Sequence, residues 1–163
     1  MRIFKLLCAI ALGACLSAAQ TKVSGTAECS EQPSDSHAIE VGDHPGHAYT
    51  IGRETCTWTK PLEIAGLKST GDSAADFMEV DGNKGRDHSS RVGTTDGGDK
   101  FYVRTEGTDV LKGQKLESGE GTWSFAGGTG KLKGLKGKGT YKCEPAGDNI
   151  DCDVEGDYTL PSK

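Results

Sequence analysis

Between Lys136 and Leu160 apolar and polar residues alternate one by one on both sides of a short polar break. A chain patterned this way folds as a hairpin with one dry face and one wet face. Pairing Cys143 with Cys152 across Glu144–Asp151 sets Tyr141 opposite Val154 and Gly139 opposite Gly156. Leu135, Tyr141 and Cys143 then share a face with Ile150, Cys152, Val154, Tyr158 and Leu160. Lys136, Lys138, Thr140, Lys142, Asp153, Glu155 and Asp157 take the other. A slip of one residue would turn every apolar side chain into water, so the pattern sets the register.

The same two-residue period returns along the chain, and no segment after residue 20 carries a helical one. Strands are expected near 22–30, 47–59, 73–81, 87–95, 100–110, 116–126, 136–144 and 150–160, separated by Gly, Asp, Asn and Pro clusters. Eight antiparallel strands suit an up-and-down barrel, because closure removes the sheet edges. The expected fold is therefore all-β, an eight-stranded antiparallel barrel. Residues 31–46 read as the longest irregular loop, and Pro61–Gly71 as a turn or short helix. The turn Asp96-Gly97-Gly98-Asp99 places Thr94 opposite Phe101, Val92 opposite Val103, Ser90 opposite Thr105 and His88 opposite Gly107. The next hairpin places Val103 opposite Trp123 and Phe101 opposite Phe125. In the second strand Glu54, Cys56 and Trp58 share a face that Tyr49 and Ile51 miss; a β-bulge at Gly52 would bring both sets inside.

The N-terminus reads as an export signal: Arg2 and Lys5, an apolar run Leu6–Leu16, then the small residues Ser17, Ala18 and Ala19. The run is shorter than the ~20 apolar residues that cross a bilayer as a helix. Cleavage after Ala19 leaves one domain, 20–163, in a secreted or periplasmic protein with no integral membrane segment. The alternative is a lipoprotein anchored through Cys15, since Leu12-Gly13-Ala14-Cys15 resembles a lipobox. Removing the signal takes away two basic residues and no acidic one, so the net charge moves from −5 to −7. An acidic domain is a poor partner for nucleic acid or an anionic membrane. Four cysteines remain, which allow three pairings. Parity favours Cys29–Cys56 and Cys143–Cys152, each pair meeting on the buried face of its strands.

Phe125-Ala-Gly-Gly-Thr-Gly-Lys-Leu-Lys-Gly-Leu-Lys-Gly, followed by Lys138-Gly-Thr-Tyr141, resembles the glycine-rich bend of allene oxide cyclase and dirigent-type barrels. The resemblance covers about the last third of the chain. It implies an eight-stranded barrel with a central cavity, often trimeric, that acts on or steers small hydrophobic molecules. No catalytic residue of that family matches a position here.

Parity alone names a candidate cavity wall: Trp58, Val92, Phe101, Val103, Trp123, Phe125 and Tyr141. Glu54 and His88 are its candidate acid–base groups, because a carboxylate or imidazole among aromatic rings has a displaced pKa. The bland reading places both near a barrel end, hydrated and inert. Two functions follow: a binding protein for a small hydrophobic molecule, or a cyclase- or isomerase-like enzyme in the same cavity. No cofactor is expected. Gly127-Gly-Thr-Gly-Lys131 fails the phosphate-loop pattern, since Leu132 follows the lysine. His37, Asp43, His44 and His47 have spacing suited to zinc or copper. The plainer reading is a polar turn on Pro45-Gly46, and no metal is expected.

Overall fold

A computed structural model describes residues 20–31, 33–113 and 115–161. The export signal 1–19 and the alternative anchor Cys15 lie outside the described residues. The strands are β1 Thr21–Glu31, β2 His37–Glu40, β3 His47–Lys60, β4 Glu63–Ile64, β5 Leu67–Asp81, β6 Lys84–Thr95, β7 Lys100–Lys112, β8 Lys115–Gly128, β9 Lys136–Ala146 and β10 Asn149–Thr159. Two short 3₁₀ turns, Pro33–Asp35 and Gly130–Leu132, complete the elements.

β1, β3 and β5–β10 form a closed eight-stranded antiparallel barrel. Each strand from β5 to β10 pairs with the next, β10 pairs with β1, and β1 with β3; the β3–β5 pairing closes the ring. The hairpin of β9 and β10 has the register the alternation requires: Cys143 opposite Cys152, Tyr141 opposite Val154, Gly139 opposite Gly156. Both disulfides form as expected, Cys29–Cys56 across β1 and β3 and Cys143–Cys152 across β9 and β10.

Three local expectations change. The turn expected in Pro61–Gly71 forms at Ala65-Gly66, but strands flank it: β4 folds back on β5, which already begins at Leu67. Leu62, Ile64 and Leu67 are buried there, so this segment seals one end of the barrel. Within 31–46, β2 forms and pairs with the first half of β3. No bulge interrupts β3 at Gly52; its pairing with β5 runs unbroken from His47 to Thr57. Tyr49 and Ile51 therefore stay on the outer face, where both are exposed.

The registers around β7 also differ. Gly93, not Thr94, stands opposite Phe101, and Arg91, not Val92, stands opposite Val103. Ser89 faces Thr105, and Asp87 faces Gly107. This one-residue difference turns the whole of β6 over. Across β7 and β8, Val103 meets Phe125 and Thr105 meets Trp123, with a bulge between Tyr102 and Val103. That shift is two residues, so the faces are kept.

The barrel has two unlike halves. At the lower end, where β1, β5, β7 and β9 begin, Val23, Leu62, Ile64, Leu67, Phe101, Trp123, Phe125, Leu132, Leu135 and Tyr158 form one buried cluster. Phe101 is 1% exposed, and burying a side chain of that size stabilises by about 1.5–3 kcal/mol. The Trp123 indole donates to the Thr140 and Glu155 carbonyls at 3.2 and 3.1 Å. It lies against Gly139 and Gly156, where a Cβ would stand 2.7 and 2.6 Å from the ring. Gly139 and Gly156 thus make room for the ring, and Leu132, next to Lys131, is fully buried.

Candidate active site

The upper half of the barrel is lined by charge. With Gly93 turned inward, β6 also presents Asp87, Ser89 and Arg91 to the interior. On β5, Asp72 stands opposite Gly93, Ala74 opposite Arg91 and Asp76 opposite Ser89. Ala74 is 1% exposed, which fixes that face as the inner one. Glu54 comes from the inner face of β3, beside the Cys29–Cys56 bridge.

Arg91 sits at the centre of this group. Its Nη1 donates to Glu54 Oε2 at 2.7 Å, and its Nε and Nη2 reach Asp72 Oδ1 at 2.9 and 2.8 Å. Nη2 also touches Cys56 Sγ at 2.7 Å. Burial works against the Arg91 charge, but Asp72 and Glu54 outweigh it and hold the guanidinium above its usual pKa. Asp76 is left outside these ion pairs. Burial, then the Glu54 carboxylate, raise its pKa to about 7; Arg91 only partly opposes them. The Ser89 hydroxyl serves Asp76 and bonds Thr105 Oγ1 at 2.7 Å. Burial also raises Asp87, although the Tyr141 hydroxyl donates to its Oδ2 at 3.4 Å. Asp87 Oδ1 is shut from solvent and accepts no hydrogen bond from a described residue. Burial, and then Asp87 and Asp109, push the Tyr141 hydroxyl upward and keep it a donor.

The expected cavity wall divides accordingly. Phe101, Trp123 and Phe125 are buried against one another, with ring centroids 6.0 Å apart for the phenylalanines and 4.8 Å for Trp123 and Phe125. Trp58, Val103 and Tyr141 pack on that cluster and are half-buried. Val92 does not join them: the turned register of β6 leaves it on the outer face, 44% exposed. His88 is outside for the same reason. It stacks on Phe77 at 5.7 Å on the outer wall and is separated from Glu54 by that wall. Glu54 alone of the two acid–base candidates faces the interior. Asp43, His44 and His47 come together at the upper rim, whereas His37 lies apart, opposite Ile51 on β2.

Asp72, Asp76, Asp87 and Arg91 escape a reading based on apolar alternation, because nearly all of the inner row of β6 is polar. One signal for them does exist: charges of one parity recur four residues apart on two neighbouring strands, Asp72 and Asp76 on one, Asp87 and Arg91 on the next.

No protein-family model and no curated protein matches the chain. Among solved structures it is similar to one titled pyocyanin demethylase, with 17% sequence identity and a TM-score of 0.44. That match covers 82% of this chain and 99% of the other.

Proposed function

We propose that the upper half of the barrel is an acid–base site for a small molecule, with Asp76 as the group that exchanges a proton. The observation that carries this is the Asp76 carboxyl, held at a pKa of about 7 inside the barrel and left out of the Arg91 ion pairs. A group with that pKa is available as acid and as base near neutrality. Arg91 holds the Glu54 and Asp72 carboxylates in place through its ion pairs; it positions the site. Five carboxylates, Glu54, Asp72, Asp76, Asp87 and Asp109, and one guanidinium make the lining acidic. A complementary molecule carries a cationic or donor-rich group above an apolar body resting on Trp58 and Tyr141. The reaction class that needs no further reagent is a proton shift. Asp76 as carboxylate removes a proton from one atom of the molecule and, as carboxylic acid, returns it to another.

This favours the isomerase-like reading over passive binding of an apolar ligand, because the apolar half of the barrel is filled by its own side chains. We also place the protein in an oxidising compartment, secreted or periplasmic. Two disulfides support this, since such bridges persist where thiols are not kept reduced.

The test is incubation of the protein with low-mass metabolites of its host in heavy water. A proton-shifting enzyme leaves deuterium on carbon in at least one compound, detected by mass spectrometry. Labelling should vanish in Asp76→Asn and persist in His88→Ala. Labelling unaffected by Asp76→Asn, or none by the native protein, overturns the reading. A metabolite retained equally by both forms in native mass spectrometry would leave a binding protein instead.

A further inference from the structure

Far from the barrel interior, the loop between β2 and β3 folds Asp43, His44 and His47 into one cluster. Gly46 adopts φ +81°, which lets the Pro45-Gly46 turn bring the two imidazoles face to face, centroids 4.9 Å apart. Three backbone hydrogen bonds pin the turn: His47 N to His44 O at 3.4 Å, Gly82 N to Gly46 O at 3.0 Å and Val41 N to His47 O at 3.0 Å. The Asp43 carboxylate spans the Nδ1 edges of the two rings. Its Oδ1 is 2.8 Å from His47 Nδ1, and its Oδ2 is 3.2 Å from His44 Nδ1. The His44 backbone N–H donates to Asp43 Oδ1 at 2.9 Å and fixes the carboxylate.

The far nitrogens have carboxylates of their own. His44 Nε2 is 3.0 Å from Asp81 Oδ1, and His47 Nε2 is 3.2 Å from Glu79 Oε1, which the Tyr49 hydroxyl holds at 3.0 Å. An ionised carboxylate only accepts, so in the metal-free chain the imidazoles donate to Asp43 from Nδ1 and to Asp81 and Glu79 from Nε2. A metal entering beside Asp43 would displace the Nδ1 hydrogens, while Asp81 and Glu79 keep those on Nε2. Carboxylates behind the far nitrogens of metal-bound imidazoles orient the rings in just this way.

The geometry points to a divalent transition-metal site at the upper rim, held by His44 Nδ1, His47 Nδ1 and the Asp43 carboxylate. The three donor groups lie within 4.8 Å of one another. Donors around tetrahedral zinc stand about 3.3 Å apart, given metal–ligand bonds of about 2.0–2.1 Å. The two Asp43–imidazole distances already match that spacing to within half an ångström. Two nitrogens and one carboxylate suit zinc, with the fourth position open to solvent. Asp43, Glu79 and Asp81 together supply the negative charge that draws a dication to the rim. The other cluster of the kind, Cys29, Glu54 and Cys56, is not comparable, because both sulfurs are in a disulfide.

The experiment is titration of the full, metal-stripped chain with zinc alone, followed by calorimetry and by long-range proton–nitrogen NMR of the imidazoles. One zinc per chain should bind, with Nδ1 of His44 and His47 shifted and both Nε2 hydrogens retained. His44→Ala and His47→Ala should each weaken binding by roughly 100-fold, and Asp81→Asn by about tenfold. His37→Ala should change nothing. All these side chains are at the rim, and melting curves in chelator will confirm that each variant folds. Absence of stoichiometric binding, or binding that survives His44→Ala with His47→Ala, overturns the assignment.

Discussion

The Phe101 ring occupies the place where a side chain on Gly93 would stand, and the two residues face each other across β6 and β7. This contact decides which face of β6 is the inner one. A methyl group at position 93 has no room, since three atoms of the ring are its nearest neighbours. Gly93→Ala should destabilise the barrel by roughly 2–3 kcal/mol through overpacking. Urea unfolding measures it; a loss below about half a kcal/mol would mean the ring moves freely aside.

Arg91 is the counter-charge for two carboxylates. Arg91→Met leaves Glu54 and Asp72 facing each other inside the barrel and should cost about 3–5 kcal/mol. Adding Glu54→Gln and Asp72→Asn to the same chain should restore most of that loss. The Asp76 pKa should also rise further in Arg91→Met, because Arg91 lowers it. Carbon-detected NMR titration of the carboxyl reads that shift directly.

Asp76 links folding to pH. Its pKa is raised from 3.8 to about 7 on folding, so the folded protein holds a proton that the unfolded chain releases. Stability from this group is full below about pH 4 and is lost as pH rises to 7. Asp76→Asn should therefore add roughly 2 kcal/mol at pH 8.5, half of the full shift because the carboxyl is partly exposed, and little at pH 4. Urea midpoints of both forms at the two pH values give the comparison. An equal effect at both would show that Asp76 titrates normally.

The two disulfides should differ in worth. Cys29–Cys56 spans 27 residues of sequence and Cys143–Cys152 spans 9. Loop-closure entropy gives roughly 3.6 kcal/mol for the first and 2.7 kcal/mol for the second. Replacing each pair by alanine and comparing unfolding midpoints tests the order. The Cys29–Cys56 variant should also disturb Arg91, which touches Cys56 Sγ.

The pairing of β9 with β10 was written in the chain, because Cys143, Tyr141, Val154 and Tyr158 leave one register that keeps them all dry. The eight-strand count and both cysteine pairs follow from the same parity. Glu54 shares the inner face of β3 for the same reason: it alternates with Cys56 and Trp58. On β6 the sequence offers Asp87, Ser89, Arg91 and Gly93 on one face and His88, Ser90, Val92 and Thr94 on the other. Hydrophobicity prefers the second as the inner row. Closure of the barrel reverses it, because Phe101 fills the interior at that level and only a glycine fits opposite. The charged row then turns inward, toward an upper half whose carboxylates can be balanced by Arg91. Local alternation therefore determined where the strands run and how the last two pair. Which way β6 faces, and with it the acid–base site, was settled by volume and charge balance across the closed ring, which no stretch of the chain carries by itself.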